Sequence, residues 1–270
     1  MSQAPYIISP QALHAVLQQT DLVIIDLCDP QLFAQGHIPG ARHLPYGQIV
    51  RHTPPTFGLM PSAEHLSQIF SSLGITPNSW VVACDDEGGG KAARLLWTLE
   101  AAGHRKLSLL DGGIHSWKAA KLPLSTDSQP IEHSHYPLTF SNPSVIAERS
   151  YIQNHLSDKS VRILDARSPA EYAGTDVRAA RGGHIPGAVN IEWTDALDRN
   201  NALQLKPLTE LQAMFSAKGI HPELEVIVYC HSHHRSALSF AVLRHLGFTK
   251  LRGYPGSWSD WGNQNDTPIE

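Results

Sequence analysis

Cys230 opens the run His231-Ser232-His233-His234-Arg235-Ser236, which sets a nucleophilic thiol beside three imidazoles, a guanidinium and two hydroxyls. The apolar stretch Val226-Ile227-Val228-Tyr229 precedes it, and a helical pattern over 237–246, closed by Gly247, follows. The order is strand, short loop, helix, with the cysteine at the first loop position. Ligands of open α/β sheets bind at the carboxyl ends of the strands. Loop N–H groups and a helix N-terminus can converge there on one anion. Arg235 adds a permanent positive charge, and the imidazoles are expected to be partly cationic near neutral pH. Such a setting lowers a thiol pKa and holds a reactive thiolate.

Two other readings compete for this loop. A packed cysteine beside a solvated polar loop would do no chemistry. Zinc or copper could be held by Cys230, His231, His233 and His234, but four ligands within five residues cannot easily face one centre, and Arg235 would repel a cation. No metal is expected. The other two cysteines have acidic neighbours that oppose a thiolate: Cys28 stands between Asp26 and Asp29, and Cys84 precedes Asp85-Asp86-Glu87. Both are read as inert. Loop length then separates two kinds of anion chemistry. Cysteine phosphatases use Cys-x5-Arg, whereas Arg235 follows Cys230 by five positions. The shorter ring suits one extra sulfur atom on the cysteine and leans toward sulfur transfer over phosphatase or arsenate reductase chemistry.

The elements that must position this loop occur twice. His37-Ile38-Pro39-Gly40-Ala41 recurs as His184-Ile185-Pro186-Gly187-Ala188. Leu22-Val23-Ile24-Ile25-Asp26 and Val161-Arg162-Ile163-Leu164-Asp165 precede the two copies, and Gly112-Gly113-Ile114 near the end of the first half matches Gly256-Ser257-Trp258 in the second. Repetition over so long a period means duplication of a whole domain. Continuous apolar runs at 22–26, 80–84, 107–110, 161–164 and 226–229 read as parallel strands covered on both faces. Helical patterns at 61–73 and 207–218 begin with proline and end at glycine. The fold class is therefore α/β, with two similar domains, each an open, mostly parallel sheet flanked by helices. The expected boundaries are 1–124, a linker over 125–143 and 144–270. The proline-bearing stretch 122–143 lacks an apolar period and is expected to run over the surface.

Composition narrows the function class. The 270 residues are 41% hydrophobic and carry 21 basic against 25 acidic side chains, a net charge of −4. Without a basic excess, nucleic-acid and polybasic membrane roles have little support. An odd, small number of cysteines suits the reducing cytoplasm. The N-terminus lacks a cationic start and an apolar run, and no stretch approaches the roughly 20 apolar residues of a membrane span.

As a set, the His-Ile-Pro-Gly-Ala repeat, the strand–Cys loop–helix and the closing Gly256-Ser257-Trp258 resemble the tandem-domain rhodaneses over nearly the whole chain. The loop is similar to the Cys-x-x-His-His-Arg-Ser loop of bacterial thiosulfate:cyanide sulfurtransferases, and unlike the Cys-Gly-Ser-Gly-Val-Thr loop of 3-mercaptopyruvate sulfurtransferases. The resemblance implies thiosulfate as donor, cyanide or a thiol as acceptor, and no cofactor beyond a covalent persulfide on Cys230. It also implies that the second domain carries the nucleophile and the first is an inactive copy. Cys230 and Arg235 are the expected catalytic residues, with His231, Ser232, His233, His234 and Ser236 around the substrate. Trp193 is expected either to wall the pocket or to fill the core, and Arg167, Glu171 and Arg181 to form structural ion pairs. A monomer is the expected state. A 3-mercaptopyruvate sulfurtransferase and a non-catalytic sulfur-carrier or redox-sensing module stay open as alternatives. In the first domain, aligning Cys84 with Tyr229 puts Asp85 at the nucleophile position. A slip of one residue would instead put Cys84 there. The first register is preferred because it needs one inserted residue, not two, to bring Gly103 onto Gly247.

Overall fold

The computed structural model describes residues 4–127 and 130–270, which form two compact units. One comprises the chain up to Ile49 with Pro61–Asn142 and Asp198–Leu205; the other comprises Val50–Met60, Pro143–Leu197 and Lys206–Glu270. Each unit includes one short segment from the other half of the chain, Asp198–Leu205 in the first and Val50–Met60 in the second. Apolar periodicity shows where an element lies along the chain, not which core it joins.

In the first unit, β1 (Ile7–Ile8), β2 (Leu22–Asp26), β3 (Arg42–His43), β4 (Trp80–Cys84) and β5 (Leu107–Leu110) form an all-parallel sheet in the order β1-β5-β4-β2-β3. The second unit repeats this with β6 (Val161–Asp165), β7 (Val189–Asn190), β8 (Glu225–Tyr229) and β9 (Leu251–Gly253) in the order β9-β8-β6-β7, again parallel. A single parallel bridge, Ile146 to Gly253, stands where a fifth strand would continue the sheet. The central strands β4 and β8 are buried almost throughout, as continuous apolar runs require when helices cover both faces. Among the described residues, no helix is long and apolar enough to cross a membrane.

The His-Ile-Pro-Gly-Ala repeat encodes a turn. His37 stacks on Phe33 at 3.9 Å between ring centroids, with Nδ1 2.9 Å from the Phe33 carbonyl. His184 stacks on Tyr172 at 3.7 Å, with Nδ1 3.0 Å from the Tyr172 carbonyl. Ile38 and Ile185 plug the two cores with no exposed surface. Each imidazole thus fastens a loop beside the edge strand, and the repeated motif contributes packing.

The helices that matter for the loops are α1 (Ala63–Ser72), α2 (Gly90–Ala101) and α3 (Gly113–Ala119) in the first unit, and α4 (Pro169–Tyr172), α5 (Leu208–Ser216), α6 (Arg235–His245) and α7 (Ser257–Trp261) in the second. The proline-to-glycine patterns hold, with trimmed ends: Ser62 caps α1 by accepting the His65 N–H, so Pro61 stays outside it. α2 and α6 are buried along most of their length, including both polar and apolar faces. That is how a helix behind the carboxyl end of a central strand must pack.

The stretch read as a surface linker is anchored. Tyr136 and Leu138 are buried, the Tyr136 N–H donates to Ser71 Oγ, and Ser67 Oγ donates to the Tyr136 carbonyl. Ser128 and Gln129, which fall within this stretch, lie outside the described residues. Isolated anchors carry no period, so the sequence pattern could not show them. The Tyr136 hydroxyl lies 3.0 Å from His104 Nδ1, and His104 Nε2 lies 2.8 Å from the Ser79 carbonyl. Burial pushes the Tyr136 phenol up to about 12 and holds His104 below its ordinary value. A neutral His104 satisfies both partners: Nε2–H donates to Ser79 and Nδ1 accepts from Tyr136. When the folded pKa of a histidine is lowered, the unfolded chain takes up the proton first. Stability is therefore full above the unfolded value, about 6.5, and falls as the pH drops through it. His231 and His245, also held low, add to the same trend. Thermal melts between about pH 5.5 and 8 should show a Tm that falls toward acid, with a shallower slope in His104→Gln, whose amide can keep both hydrogen bonds. An unchanged slope would remove His104 from this role.

Candidate active site

Strand β8 ends at Tyr229, and Cys230 is the first residue beyond it, with no exposed surface. α6 starts at Arg235, two residues before the apolar pattern begins, because its polar first turn carries no hydrophobic signal. That turn brings Ser236 to the cysteine. Burial alone would push the Cys230 thiol up. The Arg235 guanidinium, the Ser236 hydroxyl and the N–H groups of Ser236 and Ser232 outweigh it and hold the thiol below its ordinary value. The loop therefore favours the thiolate of a fully buried cysteine by replacing water with fixed donors.

His233 shapes this arrangement without facing solvent. It is buried, sits in the left-handed region at φ +54°, and places Nδ1 2.8 Å from Ser236 Oγ. The Ser236 hydroxyl has one proton. If that proton goes to the Cys230 sulfur, the hydroxyl accepts from His233 Nδ1–H. His231 corrects the expectation of a ring of partly cationic imidazoles. Burial, and then the Arg235 charge, hold it below its ordinary value, so it is predominantly neutral at pH 7. The permanent charge of the loop rests on Arg235.

Arg235 is not a free cation. Its Nη1 and Nη2 donate to the two carboxylate oxygens of Glu171 at 2.6 and 2.8 Å. Glu171 is 1% exposed and also closes a capping box at the start of α4, accepting from the N–H and hydroxyl of Ser168. Burial raises its pKa, but Arg235 overrides that and brings it down to about 2. Such a fork fixes the guanidinium plane as well as its position. Glu171 was expected as a structural ion pair. The structure gives it a more specific place, as the partner that aims Arg235.

Arg167 and Arg181 stay structural. Arg167 is buried, donates to both oxygens of Asp165 and to the Gly183 carbonyl, and lies 4.4 Å over the Trp258 ring. Among the described residues Arg181 makes no ion pair of the kind expected; it donates to the carbonyls of Thr267, Trp261 and Gln264 and pins the last turn of the chain. Trp193 lies at the rim, partly buried, its ring 6.3 Å from that of His234.

Sequence reasoning missed the hairpin Arg51–Thr53/Thr56–Leu59, which belongs to this unit. Phe57 is 40% exposed, with its ring 6.2 Å from that of His231, and its N–H donates to Ser259 Oγ. Gly58, at φ +75°, lies so close to the loop that a Cβ there would come within 2.0 Å of the Ser232 carbonyl oxygen. Only glycine permits that approach. Nothing in the local pattern of residues 51–59 links them to a loop so distant in sequence.

The first unit builds the same framework around a different residue. Asp26 pairs with Cys84 across β2 and β4, as Asp165 pairs with Tyr229 across β6 and β8. The Asp85 carbonyl accepts from Ile114 N–H, as the Cys230 carbonyl accepts from Trp258 N–H. Asp85 thus occupies the position of Cys230, and Cys84 that of Tyr229, which is the preferred register. The Asp85 carboxylate accepts from the N–H groups of Glu87, Gly89 and Ala92 at 3.1, 2.8 and 2.9 Å. The nest is filled by its own side chain. Burial, then Asp26, push the thiols of Cys28 and Cys84 well up.

Among the described residues, no group of three or more His, Cys, Asp or Glu side chains is arranged to hold a metal ion. The model of the rhodanese-like domain matches residues 9–120 and again 148–264. Thiosulfate sulfurtransferases of Azotobacter vinelandii and Pseudomonas aeruginosa are each 40% identical, over 98% and 100% of this chain and 97% and 98% of their own lengths. A 3-mercaptopyruvate sulfurtransferase of Escherichia coli is 29% identical over 89% of this chain and 85% of its own. Among solved structures, that of YnjE superposes with a TM-score of 0.86 at 23% identity, over 98% of this chain and 68% of the other, a likeness of fold. With two matched domains and relatives this similar along their whole length, the chain belongs to the rhodanese-like family and is a sulfurtransferase.

Proposed function

We propose that this enzyme moves the sulfane sulfur of thiosulfate to cyanide or another thiophilic acceptor through a persulfide on Cys230. The observation that carries the reading is a fully buried thiol held below its ordinary pKa by Arg235, Ser236 and loop N–H groups. The Cys230 thiolate attacks the outer sulfur of thiosulfate, the S–S bond of the donor breaks, and sulfite leaves with the electron pair. The persulfide anion rests among the loop N–H groups. Cyanide, or a thiolate, then takes the terminal sulfur and returns the Cys230 thiolate. Arg235, aimed by Glu171, stabilises the anionic donor and departing sulfite. Phe57 and Trp193 wall the mouth beside His231 and His234. The first unit carries no sulfur, because Asp85 stands where the nucleophile would be. The names of the two 40%-identical relatives support thiosulfate as donor. Free cysteines at 28, 84 and 230 suit a reducing cytoplasm.

Intact mass tests the covalent step. Thiosulfate should add one sulfur atom to the wild type and to Cys84→Ser, cyanide should remove it, and Cys230→Ser should gain none. Sulfur on a residue other than Cys230 would overturn the assignment. Steady-state rates with thiosulfate, 3-mercaptopyruvate and p-nitrophenyl phosphate should rank thiosulfate first. A preference for 3-mercaptopyruvate would move the enzyme to the other branch of the family, and a stable persulfide without turnover would make it a carrier.

The fork between Arg235 and Glu171 yields a second expectation. Arg235→Ala should lose about 2–4 kcal/mol of transition-state stabilisation with thiosulfate, the scale of removing a key oxyanion donor. The thiolate is the active form, and Arg235 lowers its pKa. The acid limb of kcat/KM should therefore move to higher pH in this variant. Glu171→Gln should cost less and add little on top of Arg235→Ala, because both changes act on one guanidinium. Full additivity in that double-mutant cycle would separate the two residues.

A further inference from the structure

Ser257 has no exposed surface and holds φ at +50°, a backbone conformation that serine adopts only under strain. Its hydroxyl donates to the Tyr254 carbonyl at 2.7 Å and accepts the Cys230 N–H at 3.3 Å. The next two residues continue the grip: Trp258 N–H donates to the Cys230 carbonyl at 2.9 Å, and Ser259 N–H to the His231 carbonyl at 3.0 Å. The first turn of α7 thus holds both polar backbone groups of the nucleophile. Cys230 lies one residue past the end of β8, where the sheet no longer fixes its N–H.

The first unit supplies the comparison within the same chain. Gly113 corresponds to Ser257, and Ile114 to Trp258. Gly113 has nearly the same φ, +54°, and the Ile114 N–H makes the matching bond to Asp85. Gly113 has no hydroxyl to offer, and a Cβ there would come within 2.2 Å of the Asp85 carbonyl oxygen. Where the loop carries no nucleophile, the strained position is glycine, which adopts it freely. Where the loop carries Cys230, the position is serine, strained, with its hydroxyl on the cysteine amide.

We propose that Ser257 is a positioning residue for Cys230: its hydroxyl fixes the cysteine backbone so that the sulfur sits where the Ser232 and Ser236 donors converge. This rests on Cys230 being the sulfur-carrying residue. Without the hydroxyl the cysteine amide is released, the sulfur drifts from its donors, and both attack and thiolate stability suffer. A misplacement well under the length of a bond is enough to slow an attack that depends on alignment.

Two variants separate hydroxyl from strain. Ser257→Gly removes both, and Ser257→Ala removes the hydroxyl while keeping the strained backbone. Each is expected to lose roughly tenfold in kcat with thiosulfate at nearly unchanged KM. In each, the Cys230 thiolate, followed by its ultraviolet absorbance against a Cys230→Ser background, should titrate at higher pH than in the wild type. Ser257→Gly should melt no lower than the wild type, since glycine relieves the backbone. The titration uses no sulfur donor, so it reads Ser257 even if thiosulfate proves not to be the donor. An unmoved thiolate titration in both variants overturns the proposal, including when the melting temperature falls, because the serine would then be a structural cap. Impairment of Ser257→Ala alone also overturns it, since strain and not the hydroxyl would be responsible.

Discussion

A thiol without exposed surface keeps a lowered pKa only where the protein supplies the stabilisation that water otherwise gives. In this chain the loop after β8 supplies it, with N–H groups of Ser232 and Ser236, the Ser236 hydroxyl and the Arg235 charge gathered on Cys230. Much of the second unit serves that requirement. The parallel sheet places Cys230 at a strand end, the buried α6 fixes Ser236 and Arg235 in its first turn, and α4 delivers Glu171 to hold the guanidinium. Arg235 therefore has two anions to serve, a fixed carboxylate and a reactive sulfur. Its charge is directed by the first toward the second.

The two units show that the nest belongs to the fold and the chemistry to the residue placed in it. Around Asp85 the backbone converges as it does around Cys230, and the carboxylate takes the donors. The same contrast appears one strand away. Arg167 donates to Asp165 in the second unit, whereas Cys28 stands at the matching position beside Asp26 in the first. The buried Arg–Asp pair of the second unit lies against Tyr229, the residue before Cys230. In the first unit a small thiol fills the space, and its ionisation is suppressed by burial and by the neighbouring carboxylate. Ser257 and Gly113 complete the series, with strain tolerated beside the nucleophile and absent from its counterpart.

The rim of the site draws on chain segments far apart in sequence. Phe57 and Gly58 come from the hairpin at 51–59, Trp193 from the segment after β7, and the loop itself from residues 230–236. Under the proposed function, an apolar rim around an anion-binding floor divides the work. In that reading charge and N–H donors act on the sulfur and its leaving group, while Phe57 and Trp193 limit what can approach.

Much of this was legible in the residues. The strands at 22–26, 80–84, 107–110, 161–164 and 226–229 announce themselves because a strand covered on both faces must be continuously apolar. The duplication is visible because each copy needs the same His-Ile-Pro-Gly turn. Cys230 stands out from Cys28 and Cys84 because the charges that govern a thiolate lie beside it in sequence. The rest depends on distance in space. The Glu171 fork on Arg235, the burial that keeps His231 neutral, the anchoring of the linker by Tyr136 and the reach of Phe57 join residues tens to hundreds of positions apart. A local pattern carries no information about such contacts. Burial and hydrogen bonding are decided when the layers close, so the sequence singled out Cys230 among the three cysteines, and the tertiary structure decided what surrounds it.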